Sequence, residues 1–250
     1  MKAKRIIPCL DINHGRVVKG INFVNLADVG DPAEIAAAYN AAGADEIVFL
    51  DISATVEGRK TMFDVISRAA KKVTVPLAVG GGISEIADIE KLFDAGAAKV
   101  SINSAAVKDP EFLVRAAAKF GSTRIVCAID YTKNGGKYEV LISGGQINTG
   151  IDALEWAQKA ERLGAGELLV TGLDFDGTKN GYDLDFLKAV CAAVNIPVTA
   201  SGGAGKVEDF YEAAQAGAEG LLAASLFHFG EIKIPELKDY LSKRGIEVKR

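Results

Sequence analysis

The 250-residue chain is 49% hydrophobic and 25% charged with a net charge of −4, so it can fill a large core but has no basic field for nucleic acid or an anionic membrane. No apolar run approaches the roughly 18 residues of a membrane-spanning helix. The three cysteines (Cys9, Cys127, Cys191) and two histidines (His14, His228) form no CxxC or metal-ligand pattern. These features predict buried free thiols, a cytoplasmic protein, and neither metal nor cofactor.

Short β-rich runs alternate with helical patterns along the whole chain. Strands are expected at 5–11, 46–51, 76–81, 99–103, 124–130, 167–172, 197–201 and 220–224, most of them nearly continuous in apolar residues, as parallel strands buried on both faces require. Asp31-Pro32 and Asp109-Pro110 both look like an N-cap followed by proline, opening helices that stop at Gly43 and Gly121. Further helices are expected at 61–72, 84–95, 152–163, 183–194, 207–216 and 235–243. Eight strands, intervening helices and no linker predict one (β/α)₈ barrel. Two stretches exceed an ordinary βα connection: a polar, glycine-containing loop over 12–30, and an insertion after the fifth strand with a small hairpin ending at 142.

The chain repeats itself. Gly81 and Gly82 precede Gly202 and Gly203 by 121 positions, Ala95-Gly96-Ala97 matches Ala216-Gly217-Ala218, and Ser104 matches Ser225. The barrel is therefore read as two half-barrels, about 1–120 and 121–250. Glycines directly after a strand let backbone N–H groups approach an anion closely. Each glycine turn has a neighbouring strand that ends in Asn103-Ser104 or Ala224-Ser225, which predicts two phosphate sites, and Gly203→Val is expected to weaken binding with the fold intact.

Asp11 and Asp130 end the first and fifth strands, on opposite sides of the barrel mouth, and suit a general acid and base. Asp51 ends the second strand and is expected to orient the mouth. Asp176-Gly177-Thr178 follows the sixth, and Arg16 and Lys19 are cations in the long first loop. At the other end Arg5, Glu46, Lys99 and Glu167 open four strands as a neutral ring of salt bridges, which by charge alone is structural.

The run 3–11, the stretch Gly15-Arg16-Val17-Val18-Lys19-Gly20, Val79-Gly80-Gly81-Gly82-Ile83, Val100-Ser101-Ile102-Asn103, Ala128-Ile129-Asp130, Asp176-Gly177-Thr178-Lys179, Ala200-Ser201-Gly202-Gly203-Ala204-Gly205 and Ala223-Ala224-Ser225 closely resemble the cyclase subunits of imidazole glycerol phosphate synthase. The resemblance runs from about residue 3 to the last helix. It implies ammonia-dependent conversion of the bisphosphate PRFAR to imidazole glycerol phosphate and AICAR, in histidine biosynthesis. It implies Asp11 and Asp130 as the acid/base pair, Lys19 on a loop that closes on substrate, and Gly82, Asn103, Asp176, Gly177, Ser201, Gly203 and Ser225 around the phosphates; Ser104, Gly202 and Ala224 join them from the turns. It also implies a glutaminase partner docked on the barrel floor, with Arg5, Glu46, Lys99 and Glu167 as the gate for its ammonia.

Five positions depart from the resemblance. Ala78 stands in place of threonine, Gly172 of serine, Phe175 of a basic or small residue, Tyr131 of alanine and Ala98 of aspartate. Ala78 and Gly172 are expected to remove hydroxyls near the mouth and interior, and Ala98 a docking charge worth about 2 to 5 kcal/mol if its partner charge stays buried. Two alternatives stand beside the cyclase: a sugar-phosphate isomerase of the same pathway, disfavoured by the opening motif, the Lys19 loop and the charged floor, and a weakly catalytic phosphate-binding scaffold.

Overall fold

Apolar runs this short and this continuous bury both faces only if they pair side by side under a cover of helices. In the computed structural model, which describes residues 3–21, 24–57 and 62–249, they do so as a closed ring. The strands are β1 (Arg5–Asn13), β2 (Arg16–Ile21), β3 (Val24–Gly30), β4 (Ile47–Asp51), β5 (Leu77–Gly80), β6 (Lys99–Ile102), β7 (Ile125–Asn134), β8 (Lys137–Ile142), β9 (Ile147–Asp152), β10 (Glu167–Gly172), β11 (Val198–Ser201) and β12 (Gly220–Ala223). The ring runs β1-β4-β5-β6-β7-β10-β11-β12 and back to β1, with every neighbouring pair parallel. This is a (β/α)₈ barrel, and its strands match the expected ones within one residue at each end, except where β1 and β7 run on into hairpins.

The helices are α1 (Pro32–Ala41), α2 (Ala54–Glu57), α3 (Phe63–Ala70), α4 (Ile86–Asp94), α5 (Ser104–Lys108), α6 (Glu111–Phe120), α7 (Ala153–Arg162), α8 (Leu184–Ala193), α9 (Val207–Gln215), α10 (Ser225–His228) and α11 (Ile234–Lys243). Asp31 caps α1 as expected, accepting from the N–H groups of Ala33 and Glu34 at 2.9 and 3.2 Å. Asp109 does not repeat the device: its carboxylate is taken by Arg115 at 2.6 Å, and its backbone ends the short α5. The helix expected from residue 61 begins at Phe63, residue 61 lying outside the described ones.

Both long connections are β-structure. In the first, β2 and β3 pair antiparallel and continue β1; the second insertion is three-stranded, because β9 adds to the hairpin of β7 and β8. The hairpin ending at 142 is the expected one, while polar residues hid the alternation that would have marked β2, β3 and β9. The core has two layers. Ile7, Cys9, Val48, Ala78, Val126, Leu169 and Leu222 fill the barrel, while a larger apolar set including Phe49, Phe186 and Phe210 lies between barrel and helices. Each fully buried side chain of that size contributes about 1.5–3 kcal/mol.

Candidate active site

Side chains alternate along a strand, so the strand register decides which residues enter the barrel. Asp11 continues the inward series Arg5, Ile7, Cys9 on β1, and Asp130 continues Val126, Ala128 on β7, four strands away on the opposite side of the ring. Both line one cavity of about 360 Å³ at the C-terminal mouth, together with Gly81, Gly82, Asn103, Ser104, Asp176, Gly177, Ser201, Gly202, Gly203, Ala224 and Ser225. The cavity thus gathers the two aspartates and the expected turn residues, whereas Arg16 and Thr178 do not line it. Lys19 lies in β2, and its side chain is outside the described ones.

Asp130 is held on several sides. Asn103 Nδ2 donates to its Oδ2 at 3.0 Å, and Thr171, its register partner on β10, adds a further hydrogen bond. Burial pushes the carboxyl up to about 6; the bonds from Asn103 and Thr171 oppose the rise, and the nearby charge of Asp176 adds to it. Asp11 is buried, with the Cys9 thiol 3.7 Å from its Oδ1. Asp176 therefore stands within reach of Asp130 as well as of the mouth. Asp51 is buried, lines the same cavity and accepts from Ala54 N–H at the start of α2. Arg16 is occupied in its hairpin by Asp28, at 2.9 and 3.0 Å.

The glycine turns stand opposite one another as well. Gly81 and Gly82 follow β5, and Gly202 and Gly203 follow β11, four strands round the ring. All four have positive φ. At Gly81 a Cβ would fall 2.2 Å from the Asp51 carbonyl oxygen, and at Gly203 2.1 Å from that of Gly181, so both turns press against backbone. Gly203→Val therefore cannot leave the fold intact, contrary to the expectation from sequence. Even Gly203→Ala should cost about 2 kcal/mol or more in thermal or denaturant unfolding, whereas Ser201→Ala should lose ligand affinity at little cost in stability. Equal stability of G203A and wild type would contradict this packing.

Several site residues escaped the sequence reading. Asp88 and Asp209, also 121 positions apart, are buried behind the two turns: Asp88 accepts from Ser84 and Glu85 N–H at 3.1 and 3.0 Å, Asp209 from Gly205 and Lys206 N–H at 2.7 and 2.9 Å. Each fixes the exit of its turn into α4 or α9. Thr171 is legible only from register. Ser101, one layer below Asn103 on β6, has a buried hydroxyl facing the cavity. Lys108, at the end of α5, is the one cation among the described residues lining the mouth. No group of three or more His, Cys, Asp or Glu gathers as a metal site among the described residues, nor is any helix there long and apolar enough to cross a membrane.

At the barrel floor the four charges meet as expected. Arg5 reaches Glu46 at 2.5 Å and Glu167 at 2.6 Å, while Lys99 reaches the same two carboxylates at 2.8 and 2.7 Å. Burial opposes the charge of Arg5, but Glu167 and Glu46 raise its pKa. Burial likewise opposes the charge of Glu167, but Arg5 and Lys99 hold it below the usual carboxylate range. Thr199 Oγ1 donates to Glu167 at 2.7 Å. Ala98 offers its carbonyl to Arg124, whose guanidinium lies 3.4 Å from the centre of the Phe93 ring.

Two departures read differently in three dimensions. Ala78 does point into the barrel. Gly172 does not: it pairs in register with Tyr131, outward of Thr171, and a Cβ there would meet the Tyr131 hydroxyl at 2.9 Å and the Phe175 ring at 3.3 Å. The absent hydroxyl is replaced by tyrosine, and the interior loses nothing at that position.

Fold and site together define a (β/α)₈-barrel enzyme whose cavity lies at the C-terminal mouth, between two facing aspartates and two facing glycine turns. The sequence pattern of the family described as histidine biosynthesis protein matches residues 5–233. The chain is 58% identical over 252 residues to the imidazole glycerol phosphate synthase subunit HisF of Clostridium botulinum (strain Kyoto / Type A2), and 57% identical to that of strain 657 / Type Ba4, with all of both chains covered in each case. The chain belongs to this histidine-biosynthesis family, with the HisF subunits of imidazole glycerol phosphate synthase.

Proposed function

We propose that the chain converts PRFAR and ammonia to imidazole glycerol phosphate and AICAR, with Asp11 and Asp130 as the acid/base pair. The observation that carries this reading is the crossed geometry of the mouth. A rod-shaped bisphosphate stretched from Gly81-Gly82 and Asn103-Ser104 to Ser201-Gly202-Gly203 and Ala224-Ser225 passes between the two carboxylates. Backbone N–H groups at the turns hold the phosphates, and Lys108 adds a cation at one end. The middle of the substrate then meets Asp11 from one side and Asp130 from the other. Nitrogen adds to the ribulosyl carbonyl carbon while the carbonyl oxygen takes a proton, and cleavage with ring closure releases the two products. Asp130, with its carboxyl pushed up to about 6, is suited to deliver that proton, and Asp11 to receive one.

The halves 1–120 and 121–250 are read as one duplicated unit, one phosphate site to each. Recurrence of the glycine turns and of Asp88 and Asp209 at a constant spacing supports this. The relatives are named as subunits, and we take the partner to be a glutaminase on the N-terminal face, delivering ammonia past Arg5, Glu46, Lys99 and Glu167 into the apolar interior.

The deciding experiment is steady-state turnover of PRFAR by the purified chain with ammonium salt alone, following both products. Turnover establishes reaction and site together. Thermal protection by PRFAR without turnover would instead favour the binding-scaffold alternative.

A further inference from the structure

The residues at 131, 172 and 175 form one packed unit, and it lies directly behind the mouth. Tyr131 follows Asp130 on β7 and points outward, 4% exposed. Its ring centre lies 4.1 Å from that of Phe186 on α8 and 5.7 Å from that of Tyr138 on β8, and the latter two rings are 4.7 Å apart. Its hydroxyl fills the space a side chain at 172 would take, and its carbonyl accepts from Leu173 N–H at 3.0 Å. From there the loop is fixed step by step. Gly172 carbonyl accepts from Phe175 and Asp176 N–H, each at 3.1 Å, and Asp174 accepts from Thr132 Oγ1 at 2.8 Å and Lys133 N–H at 2.7 Å. Phe175 in turn reaches the second glycine turn, where a Cβ on Gly203 would lie 3.0 Å from its own Cβ.

We infer that Tyr131 is a positioning residue: wedged against Gly172 and Phe175, it sets the height of Asp176-Gly177 and of Gly203 at the mouth, and so the affinity for the substrate end held there. The inference rests on the reading of that loop and turn as substrate-binding. Three aromatic rings from three elements give the backbone of 172–176 a rigid backing, while Asp130 is independently held by Asn103 and Thr171. The wedge therefore governs binding more than chemistry.

The test is PRFAR kinetics with ammonium salt for wild type, Tyr131→Ala, Tyr131→Phe, Gly172→Ser, the double variant Y131A/G172S, and Asp176→Ala as a probe of the loop. Y131A is expected to raise KM about tenfold with kcat within about threefold. Y131F, which keeps the ring, restores KM to within about twofold. G172S crowds the tyrosine and raises KM alone, and Y131A/G172S has a lower KM than either single variant because the serine enters the vacated space. A loss of thermal stability in Y131A and G172S with KM unchanged overturns the inference and leaves only packing. If Y131A does not fold, G172S decides by the same readout. An unchanged KM in D176A overturns the inference together with the reading of the loop, whereas a raised KM in D176A beside an unchanged one in Y131A overturns the inference alone.

Discussion

Asp130→Asn lowers kcat by about 10²- to 10⁴-fold, the usual worth of a positioned proton donor, changes KM for PRFAR by less than about threefold, and makes the protein more stable. The gain follows from the direction of the Asp130 shift. Burial and the charge of Asp176 hold the folded carboxyl at about 6, against an ordinary value of 3.8. The folded state thus binds the proton more tightly than the unfolded chain, so the contribution of Asp130 to stability is greatest below pH 4 and declines as pH rises to about 6. The difference corresponds to about 3 kcal/mol once both states are ionised. Asparagine keeps the shape and a partner for Asn103 without the buried charge. Denaturant unfolding should show D130N ahead of wild type at pH 8, with the margin gone at pH 4. In the wild-type enzyme kcat/KM at fixed free ammonia should bend downward above about pH 6, as the proton donor is lost. A rise through the same pH would make Asp130 the base, and near-normal turnover in D130N would remove it from the mechanism. Stability spent on a strained carboxylate is the ordinary trade at an active site.

Much of this was legible in the chain because the barrel is built from local signals. Parallel strands announce themselves as apolar runs, and inward alternation places Asp11 and Asp130 at one mouth. The glycine turns at 81–82 and 202–203 were legible because they recur 121 positions apart, each directly after a strand; one copy alone would read equally well as a tight strand-to-helix connection. Polar strands were not. β2, β3 and β9 lack an apolar alternation, and only pairing with their neighbours makes them strands. Contacts between elements distant in sequence were hidden too. The buried carboxylates of Asp88 and Asp209 look like surface acids until their helices dock, and Asp109 looks like a cap until Arg115 claims it. Tyr131, Gly172 and Phe175 stand as three unrelated departures in the chain, and register joins them into one contact.

Arg5→Ala costs about 3–5 kcal/mol, the range for breaking a buried ion pair from one side. Arg5 is the only group that bonds Glu46 and Glu167 from β1, and its loss leaves two nearly buried carboxylates sharing Lys99. For a chain of this length the thermal midpoint should fall by about 10 °C. Acid narrows the gap from both sides. In the wild type, Glu167 is held below its ordinary range, so its contribution is present above that range and lost as pH falls through its folded value. In the variant, one of the crowded carboxylates takes up a proton and relieves the other. The functional consequence separates the two ends of the barrel. Ammonium salt reaches the mouth from solvent, so below its own melting temperature R5A should keep turnover within about threefold of wild type. On the proposed reading of a glutaminase docked at this end, nitrogen released from glutamine enters through the ring, and with that partner and glutamine as the nitrogen source turnover should fall at least tenfold. Equal losses with both sources would return the ring to a purely structural role, since a floor that only supports the barrel has no means of telling ammonia delivered from below from ammonia arriving at the mouth.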